Sequence, residues 1–347
     1  MPSRFQYDPT AGILVTALTV TNTIVPTVVF KTEFWALSGI NMCLFSLYKL
    51  GIFDPDDFNL ELPWGLTSTT GGLMTFFVVF YNSHCFSRYM HLYQVCRGML
   101  GQVLEIVSNL KGRISSQCHV RRISRYLIAS CFVFFFELSE AEMSEGEWKQ
   151  LLKYKLLEPH EVEQLKRLHP LGVLSFHVQQ WALEVSMDSL PNIEDRDDLM
   201  NALFDKVYHI RSCQHKVRDV LALPMPFQYF HIMSFMLLIN LTLWSYALGM
   251  QDSLFAPVVY TFIQLVFLCM RELSAALSDP FGDDDVDFPV GEWLAETAKV
   301  AVLMLEDNWD PKATLNREKS LNSVMKANQR KRVENGYEEL GQEDEDE

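Results

Sequence analysis

The residues best suited to chemistry lie in one loop, LSDPFGDDDVDFP (277–289), which sets Asp279, Asp283, Asp284, Asp285 and Asp287 between Leu277 and Pro289. Clustered carboxylates can hold a cation, cap a helix, exchange protons, or face water. The loop follows a long apolar segment, so the carbonyls around Ala275 to Ser278 end a helix and carry partial negative charge. The aspartates add like charge at that helix end. A hard cation resolves the conflict, because Ca²⁺ accepts carboxylate and carbonyl oxygens together. The plainer readings are a solvated loop and capping of a helix that begins near Pro289. The spacing is not that of an EF-hand, which needs D-x-D-x-D-G and a closing Glu.

Two further stretches carry possible function. GGLMTFFVVFYNSHCFSRY (71–89) places Gly72, Phe76 and Phe80 at i, i+4 and i+8, on one helix face. The plain reading is a packing stripe. The sharper one is a pore lining, since aromatic rings present electropositive edges and an apolar constriction gates by dewetting. Asn82, Ser83 and His84 would then offer donors to a partly dehydrated anion. In LPMPFQYFHI (223–232), Pro224 and Pro226 end one helix and set the start of the next. Met225, held between them, suits a rigid constriction.

Catalytic sets are weaker. No HExxH, G-x-S-x-G, P-loop or G-x-G-x-x-G occurs. The enzyme reading that remains is a membrane-bound one using the loop aspartates with His84 or His231, which fall on different elements.

These residues need a scaffold, and charge patterning locates it. The 347 residues are 49% hydrophobic with a net charge of −15, which argues against nucleic acid as a partner. Seven cysteines, at 43, 85, 96, 118, 131, 213 and 269, lack CxxC spacing and suggest neither disulfides nor zinc. The opening MPSRFQYDPT lacks the blocks of a secretory signal. Residues 62–87, 220–251 and 253–270 contain no Asp, Glu, Lys or Arg, and each is near or above the roughly 18–20 residues that cross a bilayer. Residues 34–53 form a fourth candidate, with Lys49 near an end where it can snorkel.

The expected architecture is all-α, a polytopic membrane protein with four transmembrane helices: 34–53, 62–87, 224–249 and 253–276. Residues 1–33 pack near the membrane, and 88–223 form a helical cytoplasmic region. The acidic loop and a following helix occupy 277–310, and the polar tail 311–347 is partly disordered. Within the cytoplasmic region, LIASCFVFFF (127–136) is too short to cross and reads as the buried face of a soluble helix, and Pro159 marks a helix start. Arg and Lys after the second span and before the third place both termini and 88–223 on the cytoplasm-like side.

Taken together, the sequence resembles the bestrophin family of anion channels. FYNSHCFSRY (80–89) matches its F-x-N-S pattern followed by Arg and an aromatic, PMPFQYFH its P-(I/L)-P start of the third span, and PFGDDDVDF (280–288) its P-F-G-x-D-x-x-D-(F/L) clasp. Weaker likeness runs from about residue 7 to 310, through NTIVP, RRISRYLIA and LLEPHEVEQL. The resemblance implies a homopentamer around one pore that conducts chloride, and bicarbonate as a second candidate, across a bilayer of the plasma membrane or an organelle such as the thylakoid. It implies a neck of Gly72, Phe76 and Phe80 and an aperture at Met225. Gly72 departs from the bulky apolar residue usual there, which suggests a wider outer neck or a lining shifted onto Leu73. The clasp implies Ca²⁺ held by Asp284 and Asp287 with backbone oxygens of Ala276 and Asp279, joined by the segment near Tyr7 and Asp8 of a neighbouring subunit. Val286 interrupts the acidic run of the animal members, and a plastid-type channel without calcium gating is the nearest alternative.

Overall fold

The computed structural model describes residues 12–20, 23–53, 55, 62–114, 116–139, 143–168, 173–189, 196–223, 225–282 and 286–306. Among them the chain is all α-helix, without strands. In order these are α1 (Ile13–Leu18), α2 (Ile24–Val29), α3 (Thr32–Lys49), α4 (Trp64–Arg113), α5 (Gln117–Ser139), α6 (Glu145–Lys153), α7 (Pro159–Leu168), α8 (Leu174–Ser189), α9 (Arg196–Ala222), α10 (Phe227–Gly249), α11 (Ala256–Ser278) and α12 (Val290–Glu306). The chain divides into a large unit, Met1–Ala298, and a small one, Lys299–Glu347, of which only the end of α12 is described.

Within the large unit, α2, α3, α10, α11 and the first half of α4 share one apolar core. Val28, Phe34, Leu37, Met74, Val78, Tyr81, Met233, Leu237, Leu241 and Leu268 fill it. Side-chain hydrogen bonds fix the helices to one another, as apolar helices without a hydrophobic drive between them require. Asn41 Nδ2 donates to the Ser245 carbonyl (2.8 Å), Gln264 Nε2 to that of Phe34 (2.7 Å), and Trp244 Nε1 to that of Thr67 (3.2 Å). Helices α10 and α11 are long and apolar enough to cross a membrane. The first half of α4 is diluted by the Thr, Ser and Gly of GLTSTTGG.

Trp244 lies directly against Gly71, where an added Cβ would run into the indole ring. The ring is held by its bond to Thr67 on the same helix as Gly71. Gly71→Ala is therefore expected to destabilise the fold by about 1–3 kcal/mol, the usual cost of overpacking a filled core. Thermal unfolding in detergent checks this, with Gly72→Ala as the control. No atom lies within 4 Å of a Cβ built at Gly72, and a loss in both variants alike would contradict the packing account.

The second half of α4 continues without a break into a bundle with α5 to α9, where α5 packs on α8, α4 and α6. The run expected to present one buried face is buried on every side up to its last residue, since each residue from Tyr126 to Phe135 is buried and Phe136 half-buried. A helix that is apolar all round takes the centre of a bundle, which accounts for its membrane-like texture. Ser144 caps α6 through a reciprocal box with Glu147. Helix α7 starts with Pro159 in its first position, and Glu161 accepts from the Glu158 backbone N–H (2.7 Å).

Candidate functional site: the neck stripe, the α9–α10 junction and the acidic loop

Helix α4 spans 50 residues. One side, through Thr67, Gly71, Met74, Val78, Tyr81 and Cys85, is buried. The opposite side holds Gly72, Phe76 and Phe80, and it is open: Phe76 is 64% and Phe80 47% exposed, and Leu73 is exposed beside Gly72. The two phenyl rings stack in parallel at 6.1 Å, and the His84 imidazole meets Phe80 edge-on at 4.9 Å. Leu66, Val79 and Phe86 of the same helix are exposed as well, so the open side of α4 is an apolar surface, and the stacked rings form an ordered aromatic row within it. The expected donor run divides: Ser83 and His84 are exposed, whereas Asn82 turns its Nδ2 toward Met270 of α11 (3.6 Å to sulfur). The helical phase explains this, because residue 82 falls beside the buried Tyr81 and Cys85 positions.

At the α9–α10 junction, Pro224 lies outside the described residues. Pro226 caps α10, and the Met225 side chain is half-buried against the apolar core. The strongest contact here comes from Arg88 of α4. Its Nη1 donates to the Leu223 carbonyl (2.7 Å) and its Nη2 to that of Val220 (2.6 Å).

The acidic loop begins as α11 ends at Ser278, whose hydroxyl donates back to the Ala275 carbonyl (2.7 Å). Ala276 lies in that last turn, where carbonyls lack helical partners. The Phe288 N–H closes the loop on the Pro280 carbonyl (2.9 Å). Asp287 folds back over Gly282: a Cβ at Gly282 would stand 3.1 Å from Asp287 Oδ2 and 4.0 Å from the Asp279 carbonyl oxygen. A carboxylate oxygen and a carbonyl oxygen thus both lie close to Gly282. That donor set suits a hard cation. Asp283, Asp284 and Asp285 lie outside the described residues, as do Tyr7 and Asp8. Among the described residues no group of three or more His, Cys, Asp or Glu converges as a metal site.

Val286, the interruption in the acidic run, is a packing residue. Its side chain joins the apolar core, and its carbonyl accepts from the Tyr89 hydroxyl (2.8 Å). The Phe288 ring then packs tilted against Tyr89 (4.7 Å) and Trp293 (5.2 Å) and edge-on to Phe281 (5.4 Å). Burial, and after it the Asp287 carboxylate, push the Tyr89 phenol above its ordinary pKa, so it stays a hydrogen-bond donor. Arg88 and Tyr89 are therefore the residues that tie α4 to the junction and to the loop. Their types stand in the Arg–aromatic pair of the FYNSHCFSRY pattern, but the pattern alone gives them no task.

The catalytic reading finds little support. His84 and His231 engage aromatic neighbours, His231 lying between Phe227 and Phe235. Burial holds the Cys96 and Cys131 thiols up at about 12, far from a reactive thiolate.

A family model described as bacterial/fungal bestrophin protein matches residues 8–303. Among solved structures, a variant of a bacterial bestrophin homologue from Klebsiella pneumoniae has a TM-score of 0.69 at 18% identity, covering 80% of this chain and 100% of its own. The structure of that homologue obtained by zinc anomalous phasing gives 0.68 at 18%, covering 80% and 98%. A structure described only as a membrane protein gives 0.70 at 18%, covering 80% and 100%. No curated protein sequence matches.

Proposed function

The chain belongs to the bacterial/fungal bestrophin family, and from that premise we propose that it is an anion channel, a homopentamer passing chloride, with bicarbonate as a second permeant ion. The family is one of channels, not enzymes, and the protein is an integral membrane protein. In this reading α3 and the first half of α4 cross the bilayer beside α10 and α11. Five copies of α4 present Gly72, Phe76 and Phe80 to a common axis, and Met225 stands at the cytoplasmic aperture.

The observation that carries this reading is the exposed Phe76–Phe80 stack on a helix whose other side is packed. Ring edges are electropositive, so an anion shedding water in an apolar neck meets favourable quadrupoles without meeting a fixed charge that would trap it. Gly72 leaves the outer turn of the neck wide. Ser83 and His84, exposed just beyond the stack, offer donors where the ion regains water.

Ca²⁺ is proposed for the acidic loop, with Asp284, Asp287 and the carbonyl oxygens of Ala276 and Asp279 as its ligands. The approach of Asp287 Oδ2 and the Asp279 carbonyl oxygen to the same residue, Gly282, supports the fit. Bound there, the cation would offset carboxylates that otherwise crowd the negative end of α11. Tyr89 and the Phe281–Phe288–Trp293 cluster hold the loop against α4.

Purified protein in proteoliposomes, assayed for chloride and bicarbonate flux with and without calcium, tests the proposal. Flux that valinomycin-balanced vesicles show only with protein is the expected result; none under any calcium condition refutes the channel. Asp284→Ala and Asp287→Ala are expected to shift the calcium dependence. If the calcium response stays as in the parent protein, the loop is structural only.

A further inference from the structure

The contact between Arg88 and the end of α9 has a use that neither the neck nor the loop explains. In a continuing helix, the Val220 carbonyl would accept from the N–H of residue 224. Residue 224 is proline and has none. The Arg88 Nη2 donor, at 2.6 Å from that carbonyl, stands in for the missing N–H, and Nη1 takes the Leu223 carbonyl at 2.7 Å. Arg88 reaches these atoms across 132 and 135 residues of sequence. Among the described residues, no ion pair to a carboxylate competes for it and its buried Nε–H meets no acceptor. The guanidinium therefore gives up one hydrogen bond to keep its planar fork on two backbone oxygens. These oxygens belong to Leu223, two residues before Met225, and to Val220, five before it. The positive charge also complements the negative end of α9.

Resting on the channel reading above, we infer that Arg88 is a positioning residue for the aperture: its fork fixes the end of α9, and so Met225, to the same helix that carries the neck. The size of ion that passes is then set by a frame in which neck and aperture cannot drift apart.

The test compares permeability of a bulky anion, gluconate, with that of chloride in proteoliposomes of the full chain. Arg88→Lys keeps the charge but cannot hold both carbonyls in a planar fork; Arg88→Gln keeps one donor group and loses the charge. Both are expected to raise the gluconate-to-chloride ratio roughly tenfold, the factor that one charge-assisted hydrogen bond is worth. Met225→Ala is expected to move the ratio in the same direction. Size-exclusion elution and thermal unfolding report folding separately, and the Lys variant, being the gentler, decides the matter if the Gln variant does not assemble. A ratio unchanged in the folded Arg88 variant overturns the inference, whatever Met225→Ala does. Absence of flux in the parent protein overturns the channel reading itself, and the inference with it.

Discussion

Phe80→Ala is expected to increase chloride flux by about an order of magnitude, which corresponds to a barrier lowered by roughly 1.4 kcal/mol. Phe80 is half exposed and braced on one side by Phe76 and on the other by His84. Its ring therefore has a defined position and no role in the core. In the proposed pentamer, its removal deletes five rings at one level of the neck, widening it and easing its rewetting. Selectivity should loosen as well, because the electropositive ring edges leave with the side chains. Stability should hardly move, since an exposed side chain contributes little burial. This separation between flux and stability is the useful part of the measurement. Were the stripe to face lipid, the same substitution would leave flux unchanged in a folded protein, and the neck assignment would fail.

Glu161→Ala should have the largest effect on stability, about 3–5 kcal/mol, the cost of breaking a buried ion pair by removing one partner. Only 3% of Glu161 is exposed. Its carboxylate accepts from Arg125 at 2.8 and 3.2 Å, from the Tyr126 hydroxyl at 2.5 Å, and from the Glu158 N–H at 2.7 Å. Alanine would leave the guanidinium only its longer pairing with Glu158 (3.7 Å) and leave the start of α7 uncapped. Burial alone would raise the Glu161 pKa, but the bonds from Tyr126, Glu158 and Arg125 outweigh it and hold the group below the ordinary 4.5. A depressed folded-state pKa means stability that is present above 4.5 and lost as pH falls through the folded value. Urea unfolding in detergent across roughly pH 3 to 7, the range over which carboxylates titrate, should show this acid-side loss in the parent and a flatter profile in Glu161→Gln. Equal slopes in the two proteins would mean that the network contributes nothing through Glu161.

Much of this organisation can be read from residue types, and what cannot has physical reasons. Pro159 announces the start of α7 because a first-turn proline forfeits no bond. The stripe at 72, 76 and 80 follows from helical spacing alone. The extent of α4 does not: charges from Arg88 onward mark where apolar character stops, yet no proline stands between Trp64 and Arg113 and packing overrides its glycines, so the helix carries on. Local spacing also could not assign Arg88 or Tyr89, whose partners are more than a hundred residues away. Val286 looked like a defect in an acidic run because its neighbours in sequence are not its neighbours in space. Asn82 stands next to Ser83 and His84 in sequence, but successive helical residues point about 100° apart.

That angle gives the unbroken span of α4 a consequence for how such sequences can change. Between Phe80 and Arg88 the backbone works as a keyed shaft: the ring direction at one end is phased to the guanidinium at the other. Inserting or deleting one residue there would turn the rings by about 100° relative to the guanidinium, withdrawing the aromatic row from the proposed pore axis while every individual side chain survived. Point substitutions in this stretch are graded in effect, whereas a change of length is all or nothing. The eight-residue interval is itself a specification, independent of most of the letters that fill it.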